Sequence, residues 1–293
     1  MGGTLYKKWF EVFRHLQHAW HDAIRGESVN VITKLLWTLV VFLMLAPMAI
    51  SHAQSFDSVT HIHSVKAFGE KTLIGTHEGL FVFQTQNSMK AVGAERFDVM
   101  GLAVFGDIIF ASGHPGKGSK LPNPVGLLRS DDDGKNWKKI SLQGEVDFHF
   151  LQAGKWELYG EDAQTGKLMY SANLGRSWKS LGPNLCSDIA ISNLNPGHAY
   201  GVEKGRLIKS KDSFSTRSLI KTDFTVSSVE FNGKILYASS GKLIYNSKDQ
   251  GRTWQKLASF KSKVADFSTS DQLIVAIVGN EILVSKDGGK SFK

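Results

Sequence analysis

Ser247-Lys248-Asp249-Gln250-Gly251-Arg252-Thr253-Trp254 follows the pattern S-x-D-x-G-x-T-W. Ser285-Lys286-Asp287-Gly288-Gly289-Lys290-Ser291-Phe292 repeats it with Phe in the last place. Ser130-Asp131-Asp132-Asp133-Gly134-Lys135-Asn136-Trp137 and Ser171-Ala172-Asn173-Leu174-Gly175-Arg176-Ser177-Trp178 are close copies, and Ser210-Lys211-Asp212-Ser213-Phe214-Ser215-Thr216 is a worn one. Each residue type suits a tight β-hairpin. Gly134, Gly175, Gly251 and Gly289 supply positive φ without steric penalty. Asp132, Asn173, Asp249 and Asp287 offer a side-chain acceptor to the N–H groups of the turn. Ser130, Ser171, Ser247 and Ser285 each close an apolar strand, while Trp137, Trp178, Trp254 and Phe292 open the next one with a large flat packing surface. Asp-rich loops also hold Ca²⁺, but the copies do not share the acidic residue that an EF-hand places at its twelfth position. The octet therefore reads as a turn that locks two strands together.

Successive octet serines lie 41, 39, 37 and 38 residues apart. A period near 40 residues matches a propeller blade of four strands. From about residue 60 onward, short apolar runs alternate with polar, Gly-rich turns, and no helical period is visible. Blade 1, which has no octet, takes strands at 63–68, 72–76 and 79–83. Blade 2 begins with strands at 98–105, 108–112 and 125–130. Blades 3, 4, 5 and 6 begin near Val146, Cys186, Val226 and Val264. The fold expected is all-β, a propeller of six four-stranded blades, or seven if two have been merged. Residues 54–60 are placed to complete the last blade, which would close the ring without an open edge.

The octet resembles the Asp-box, or BNR repeat, of sialidases, sortilin-type domains, photosystem II assembly factors and many bacterial proteins loosely labelled glycosyl hydrolases. That resemblance covers the chain after about residue 56. It implies a β-propeller with each box on the hairpin between a blade's third and fourth strands. His61-Ile62-His63, Gly113-His114-Pro115 and Asp147-Phe148-His149 look like further elements of the bacterial subgroup.

The 293-residue chain divides into three segments. In residues 1–30, Leu5, Trp9, Val12, Phe13, Leu16, Trp20 and Ile24 recur at helical steps among basic residues, as in a helix lying on the cytoplasmic membrane surface. Residues 31–53 read as a signal peptide or signal anchor. The run 35–50 is apolar except for Thr38 and Pro47, and Ser51-His52-Ala53 ahead of Gln54 fits a cleavage site. Lys34 and the basic residues before it keep the N-terminus cytoplasmic. Residues 54–293 are then an extracytoplasmic propeller, periplasmic or secreted, or anchored in the inner membrane by residues 31–50. The net charge of +8 comes from Lys residues scattered over turns and strand edges, without the aromatic and basic stripe of a nucleic-acid-binding surface. Cys186, the single cysteine, has no partner for an internal disulfide and reads as a small buried hydrophobe.

In a propeller the octets occupy one face, here the bottom. The starts of the first strands and the loops between strands two and three lie on the opposite, top face, where propellers bind their ligands. Aligning the blades puts His77, His114, Asp162 and Glu203 in equivalent top-face positions after strand two. His61, His63, Asp98, Asp147 and His149 lie at the starts of first strands. His, Asp and Glu serve metal sites and acid–base chemistry alike. His61 and His63 share one side of an extended chain, a spacing that suits Zn²⁺ or Cu²⁺. Three uses stay open for the five histidines: ligands of a divalent metal, a ligand-binding or acid–base rim, or imidazoles satisfied by their neighbours. Otherwise a carbohydrate or a protein is the expected ligand class, or the chain serves as an assembly factor for a membrane complex. Asp98, Asp147, Asp162 and Glu203 are the candidate acids of a glycosidase.

Sialidase chemistry fits poorly. The resemblance implies a triple-Arg clamp on a carboxylate, yet Arg176 and Arg252 fall inside octets on the bottom face, leaving Arg96 and Arg206 for the top. The stretch 113–120 superficially resembles a phosphate-binding loop, but Ser-Lys replaces Lys-Ser and no helix follows. The insertion 115–123 is expected to be a mobile lid or partner loop, with Lys117 and Lys120 available to an anion.

Overall fold

The computed structural model describes residues 61–293 apart from Asn87. The segments 1–30 and 31–53, and residues 54–60 expected to complete the last blade, lie outside the described residues. Among the described residues the chain forms only strands, 23 of them in six antiparallel sheets.

Blade 1 contains β1 (Ile62–Phe68), β2 (Lys71–Thr76), β3 (Gly79–Thr85) and β4 (Ser88–Ala91), adding a fourth strand to the three expected. Blade 2 contains β5 (Phe97–Phe105), β6 (Ile108–Pro115), β7 (Leu127–Ser130) and β8 (Lys138–Ser141). Blade 3 contains β9 (Phe148–Ala153), β10 (Leu158–Asp162), β11 (Lys167–Ser171) and β12 (Lys179–Pro183). Blade 4 contains β13 (Asp188–Ile191), β14 (Ala199–Glu203), β15 (Arg206–Ser210) and β16 (Ser218–Ile220). Blade 5 contains β17 (Ser228–Asn232), β18 (Ile235–Ser240), β19 (Leu243–Ser247) and β20 (Gln255–Ser259). Blade 6 contains β21 (Val264–Thr269), β22 (Ile274–Val278) and β23 (Glu281–Ser285), and Lys293 exchanges two backbone hydrogen bonds with Val284, 2.9 and 3.1 Å long.

The first strands touch in sequence around an axis, and β1 also touches β21, so the ring is closed. Every blade faces protein on both sides. Strands near the middle of a blade are therefore near-continuous apolar runs: Leu73 and Ile74 of β2, and Ile109, Phe110 and Ala111 of β6, are buried. The cores sit between blades. Phe68, Leu73 and Leu80 of blade 1 pack with Phe97, Val99, Leu102 and Ile109 of blade 2. Val65, Ala67, Ile74 and Phe81 of blade 1 pack with Leu273, Val275 and Ile282 of blade 6, which seals the ring. Polar ties reinforce that seam, with Ser270 Oγ donating to Gly69 O at 2.7 Å and Gln86 Nε2 to Ile282 O at 2.5 Å.

All five octets link a third strand to the position of a fourth. In each, the serine hydroxyl is the hub. Ser247 Oγ accepts from Gly251 N and donates to Asp249 Oδ1, both at 2.8 Å. Asp249 in turn accepts from Thr253 N at 2.8 Å and Thr253 Oγ1 at 2.6 Å. The worn octet keeps the same bonds, although Phe214 stands in the glycine position at φ 62°. There is room for that side chain because Gly201 faces it; a Cβ on Gly201 would lie 3.3 Å from the Phe214 ring. The first strand of blade 4 begins at Asp188, two residues after Cys186, which is buried as expected. Burial pushes the Cys186 thiol up to about 11, so it stays protonated and inert.

Candidate metal-binding face

The top face gathers two side-chain clusters, each across a junction between blades. The first joins blade 1 to blade 2. His61 precedes β1, His63 lies within it, His77 sits in the β2–β3 turn, and Asp98 lies in β5. One potential ligand atom from each of His61, His63 and His77 falls within 4.8 Å of the other two. His63 Nε2 and His77 Nδ1 are 3.2 Å apart. Asp98 faces both, with Oδ2 at 2.8 Å from His77 Nδ1 and Oδ1 at 3.1 Å from His63 Nε2. The contact to His63 is close but poorly aligned, so Asp98 Oδ1 is shut off from solvent without a hydrogen-bond donor. Burial lowers the pKa of His63 below the ordinary imidazole value. Asp98 opposes this, while His77, His61 and His149 add to the lowering, so His63 favours the neutral form that binds metal.

The second cluster joins blade 2 to blade 3. His114 lies in β6, Asp147 precedes β9 and His149 lies within it. Their ligand atoms also fall within 4.8 Å of one another. Asp147 Oδ2 receives both imidazoles, His149 Nε2 at 2.9 Å and His114 Nε2 at 3.1 Å. Asp147 is buried, and its second oxygen has no hydrogen-bond donor. His114 Nδ1 lies 2.9 Å from Asn123 Oδ1. The ligand atoms of a tetrahedral ion with bonds of ~2.1 Å stand about 3.4 Å apart. The His63–His77 contact of the first cluster and the two contacts to Asp147 in the second are close to that spacing.

All five candidate histidines thus fall into the two clusters, as do Asp98 and Asp147. Asp162 does not. It caps its own turn, accepting from Thr165 Oγ1 at 2.6 Å and Gln164 N at 3.1 Å. Among the described residues Glu203 has no hydrogen bond or ion pair to either cluster. Arg96 donates to the carbonyls of Val92, Gly93 and Glu95 and is held at the rim by its own loop.

The insertion 115–123 makes its own contacts with the blades. Ser119 Oγ donates to Glu95 Oε1 at 2.6 Å, Gly116 N donates to Arg96 O, and Leu121 packs on the core between blades 1 and 2. Its contribution to the top face is Asn123, while Lys117 and Lys120 are exposed. The signal for Asn123 was its position at the end of an insertion that begins next to His114.

Sequence reasoning also missed a ring of polar residues on the first strands. Lys66 Nζ donates to Gln152 Oε1 at 3.5 Å, and Gln152 Nε2 donates to Glu230 Oε2 at 3.1 Å. Asp188 and Asp266 belong to the same electrostatic neighbourhood. Burial, reinforced for Asp188 chiefly by Asp266, raises the Asp188 carboxyl to about 7. Burial raises Asp266 to about 6 against the pull of Lys66. Burial also opposes the charge on Lys66, but Glu230, Asp266 and Asp188 outweigh it and raise its pKa. A charged residue inside an apolar first strand, as in Val65-Lys66-Ala67 and Val229-Glu230-Phe231, was the available signal.

No protein-family model matches the sequence, and no curated protein matches it. Solved structures do resemble the fold. A GH74 enzyme from Niastella koreensis gives a TM-score of 0.53 at 13% identity, over 80% of this chain and 37% of that one. PorZ, a bacterial surface component of the type-IX secretion system of Porphyromonas gingivalis, gives 0.51 at 11% identity, over 79% of this chain and 33% of that one. A chain from the nidogen/laminin complex gives 0.51 at 10% identity, over 79% of this chain and 92% of that one. This chain spans about a third of the GH74 and PorZ chains. The similarity is one of fold, and the chain is a β-propeller.

Proposed function

We propose that the chain is an exported propeller of the Asp-box class that acts as a binding module through the His/Asp-rich top face, and that the ligand held there is a divalent transition-metal ion. The observation that carries this is the convergence of His61, His63 and His77, whose ligand atoms lie within 4.8 Å of one another at the rim. Three imidazole nitrogens suit Zn²⁺ or Cu²⁺. Asp98 lies 2.8 and 3.1 Å from the same two nitrogens of His77 and His63, so its carboxylate can join them as an oxygen donor. His61 and His77 are exposed, which leaves a way in for the ion. A membrane association through residues 31–50 and an extracytoplasmic location belong to the same proposal.

The glycosidase alternative has less support. It requires two carboxylates free to act across a sugar ring. Asp98 and Asp147 each face two imidazoles, and Asp162 caps a turn. The test is metal content. Untagged full chain dialysed against Zn²⁺ and then against buffer should retain the ion, and His63→Ala together with His77→Ala should release it from this site. A parent protein that retains neither Zn²⁺ nor Cu²⁺ overturns the proposal.

A further inference from the structure

The geometry points to a second divalent-metal site, formed by His114, Asp147 and His149 and set by Asn123, so that the top face takes two ions per chain. It extends the reading of the top face as a metal-binding rim but rests on different residues.

The donors are two imidazoles and one carboxylate, a combination that binds Zn²⁺ and, with positions left open, Fe²⁺. The decisive detail is the direction of the His114 ring. Asn123 presents its carbonyl oxygen to His114 Nδ1 at 2.9 Å. With the Asn123 amide oriented this way its oxygen only accepts, which favours the tautomer with the proton on Nδ1. In the neutral ring Nε2 is then a bare lone pair, and it points at Asp147 Oδ2 from 3.1 Å. Two acceptors facing at that distance repel unless a cation or an extra proton lies between them. His149 Nε2 approaches the same oxygen at 2.9 Å, so three ligand atoms converge. The other oxygen of Asp147 is buried without a donor, which adds to the unbalanced negative potential. The relation of Asn123 to His114 is that of an outer group fixing the tautomer of a metal ligand. The imidazoles of His114 and His149 are about two-fifths exposed, 40% and 42%, so the site opens to solvent and has room for water or an oxygen ligand.

The two sites are neighbours. Asp98 of the first and His114 of the second are directly opposed across β5 and β6. Opposed residues on an antiparallel pair have Cβ atoms about 5 Å apart. Two divalent ions would therefore rest on adjacent rows of one hairpin, and the second should bind more weakly than the first through mutual repulsion.

The experiment is Zn²⁺ stoichiometry by equilibrium dialysis and elemental analysis on the untagged full chain. Thermal unfolding in excess chelator shows that each variant is folded. The parent should saturate at two ions. The pair His114→Ala with His149→Ala should leave one, and the pair His61→Ala with His77→Ala should also leave one. Asn123→Leu should weaken one of the two binding steps by about 10–100-fold, and Asn123→Asp, which keeps the acceptor, should hold it near the parent value. A single ion lost only with His61 and His77 rejects the second site and leaves the proposed function standing. A single ion lost only with His114 and His149 does the reverse. No bound ion rejects both, and so does binding that no histidine variant alters. Equal affinity in Asn123→Leu and the parent overturns the role given to Asn123.

Discussion

The two faces of the propeller use the same carboxylates in opposite ways. On the bottom, Asp132, Asp212, Asp249 and Asp287 are satisfied inside their own octets. Bonds from Thr253, first from its hydroxyl and then from its backbone N–H, lower Asp249 to about 2. The corresponding groups of Asn136, side chain first, lower Asp132 to about 2. Each donor lies within four residues of its acceptor, so the hairpin completes itself. On the top, Asp98 and Asp147 face imidazoles drawn partly from another blade, and each keeps a buried oxygen without a donor. A carboxylate closed by its own turn serves the fold, whereas one left open between blades is available to a ligand. If this contrast holds, bottom-face substitutions should change stability and spare metal binding, and top-face ones should do the reverse.

The largest effect should come from Gly175→Val. Gly175 sits at φ 86°, and a Cβ there would lie 2.0 Å from Leu127 Cδ2 in the buried core. Backbone strain and overpacking together should cost about 3–5 kcal/mol, read as a fall in the urea midpoint. Phe214 is tolerated at the equivalent position only because Gly201 makes space, and no such space exists opposite Gly175. Ser247→Ala comes next. It removes the acceptor of the buried Gly251 N–H and a donor to Asp249, and should destabilise by about 1–3 kcal/mol. Zn²⁺ affinity measured on the folded Ser247→Ala protein should equal that of the parent. A loss of affinity would break the separation of the faces.

Asp98→Ala supplies the opposite arm. It removes the carboxylate shared by His63 and His77, and affinity at the first site should drop about 10–100-fold. Unfolding in chelator should move by less than about 1 kcal/mol, since the side chain lies at the rim and holds no turn together. A variant that loses stability and metal in equal measure would make Asp98 a structural residue.

How far the chain could be read in advance follows from the same contrast. The octet is local: its hub, its acceptor and its glycine lie within five residues, so their spacing alone gave the hairpin and the period. Even the worn copy at Ser210 keeps the bonds of the others, because the serine and the aspartate carry them and the glycine only eases them. The histidines were legible one step further, since aligning blades of known period places His77 with His114. Which imidazole meets which carboxylate was not legible, because Asp98 joins histidines of blade 1 while His114, directly opposite it on blade 2, turns to Asp147 of blade 3. Asn123 was hidden by an insertion whose lysines drew the attention. Lys66, Asp188, Glu230 and Asp266 were the least legible, because their relation exists only once the ring has closed.

That ring provides the smallest and sharpest test. Asp249 and Asp266 are both aspartates near strand ends, but their carboxyls shift in opposite directions. The folded pKa of Asp266 is raised to about 6 by burial, so the folded state holds its proton more tightly than the unfolded chain does. Its favourable contribution is complete below the unfolded value near 3.9 and is lost as pH rises through about 6. Asp266→Asn keeps an acceptor for Phe267 N and removes the buried charge. It should stabilise the protein at pH 8 by about 1 kcal/mol, a figure held low because the site keeps partial access to solvent. The gain should fade toward pH 4, where the parent aspartate is already protonated. For Asp249 the sign reverses. Its folded pKa is depressed to about 2, so its contribution is present above the unfolded value and is lost as pH falls through about 2. Asp249→Asn should therefore give no gain at pH 8, and Asn173 already shows that an amide can hold the octet, accepting from Ser177 N at 2.9 Å. Urea midpoints of the two variants at pH 8 and pH 4 decide the matter. If both substitutions stabilise at pH 8, the distinction between closed and open carboxylates fails at the axis.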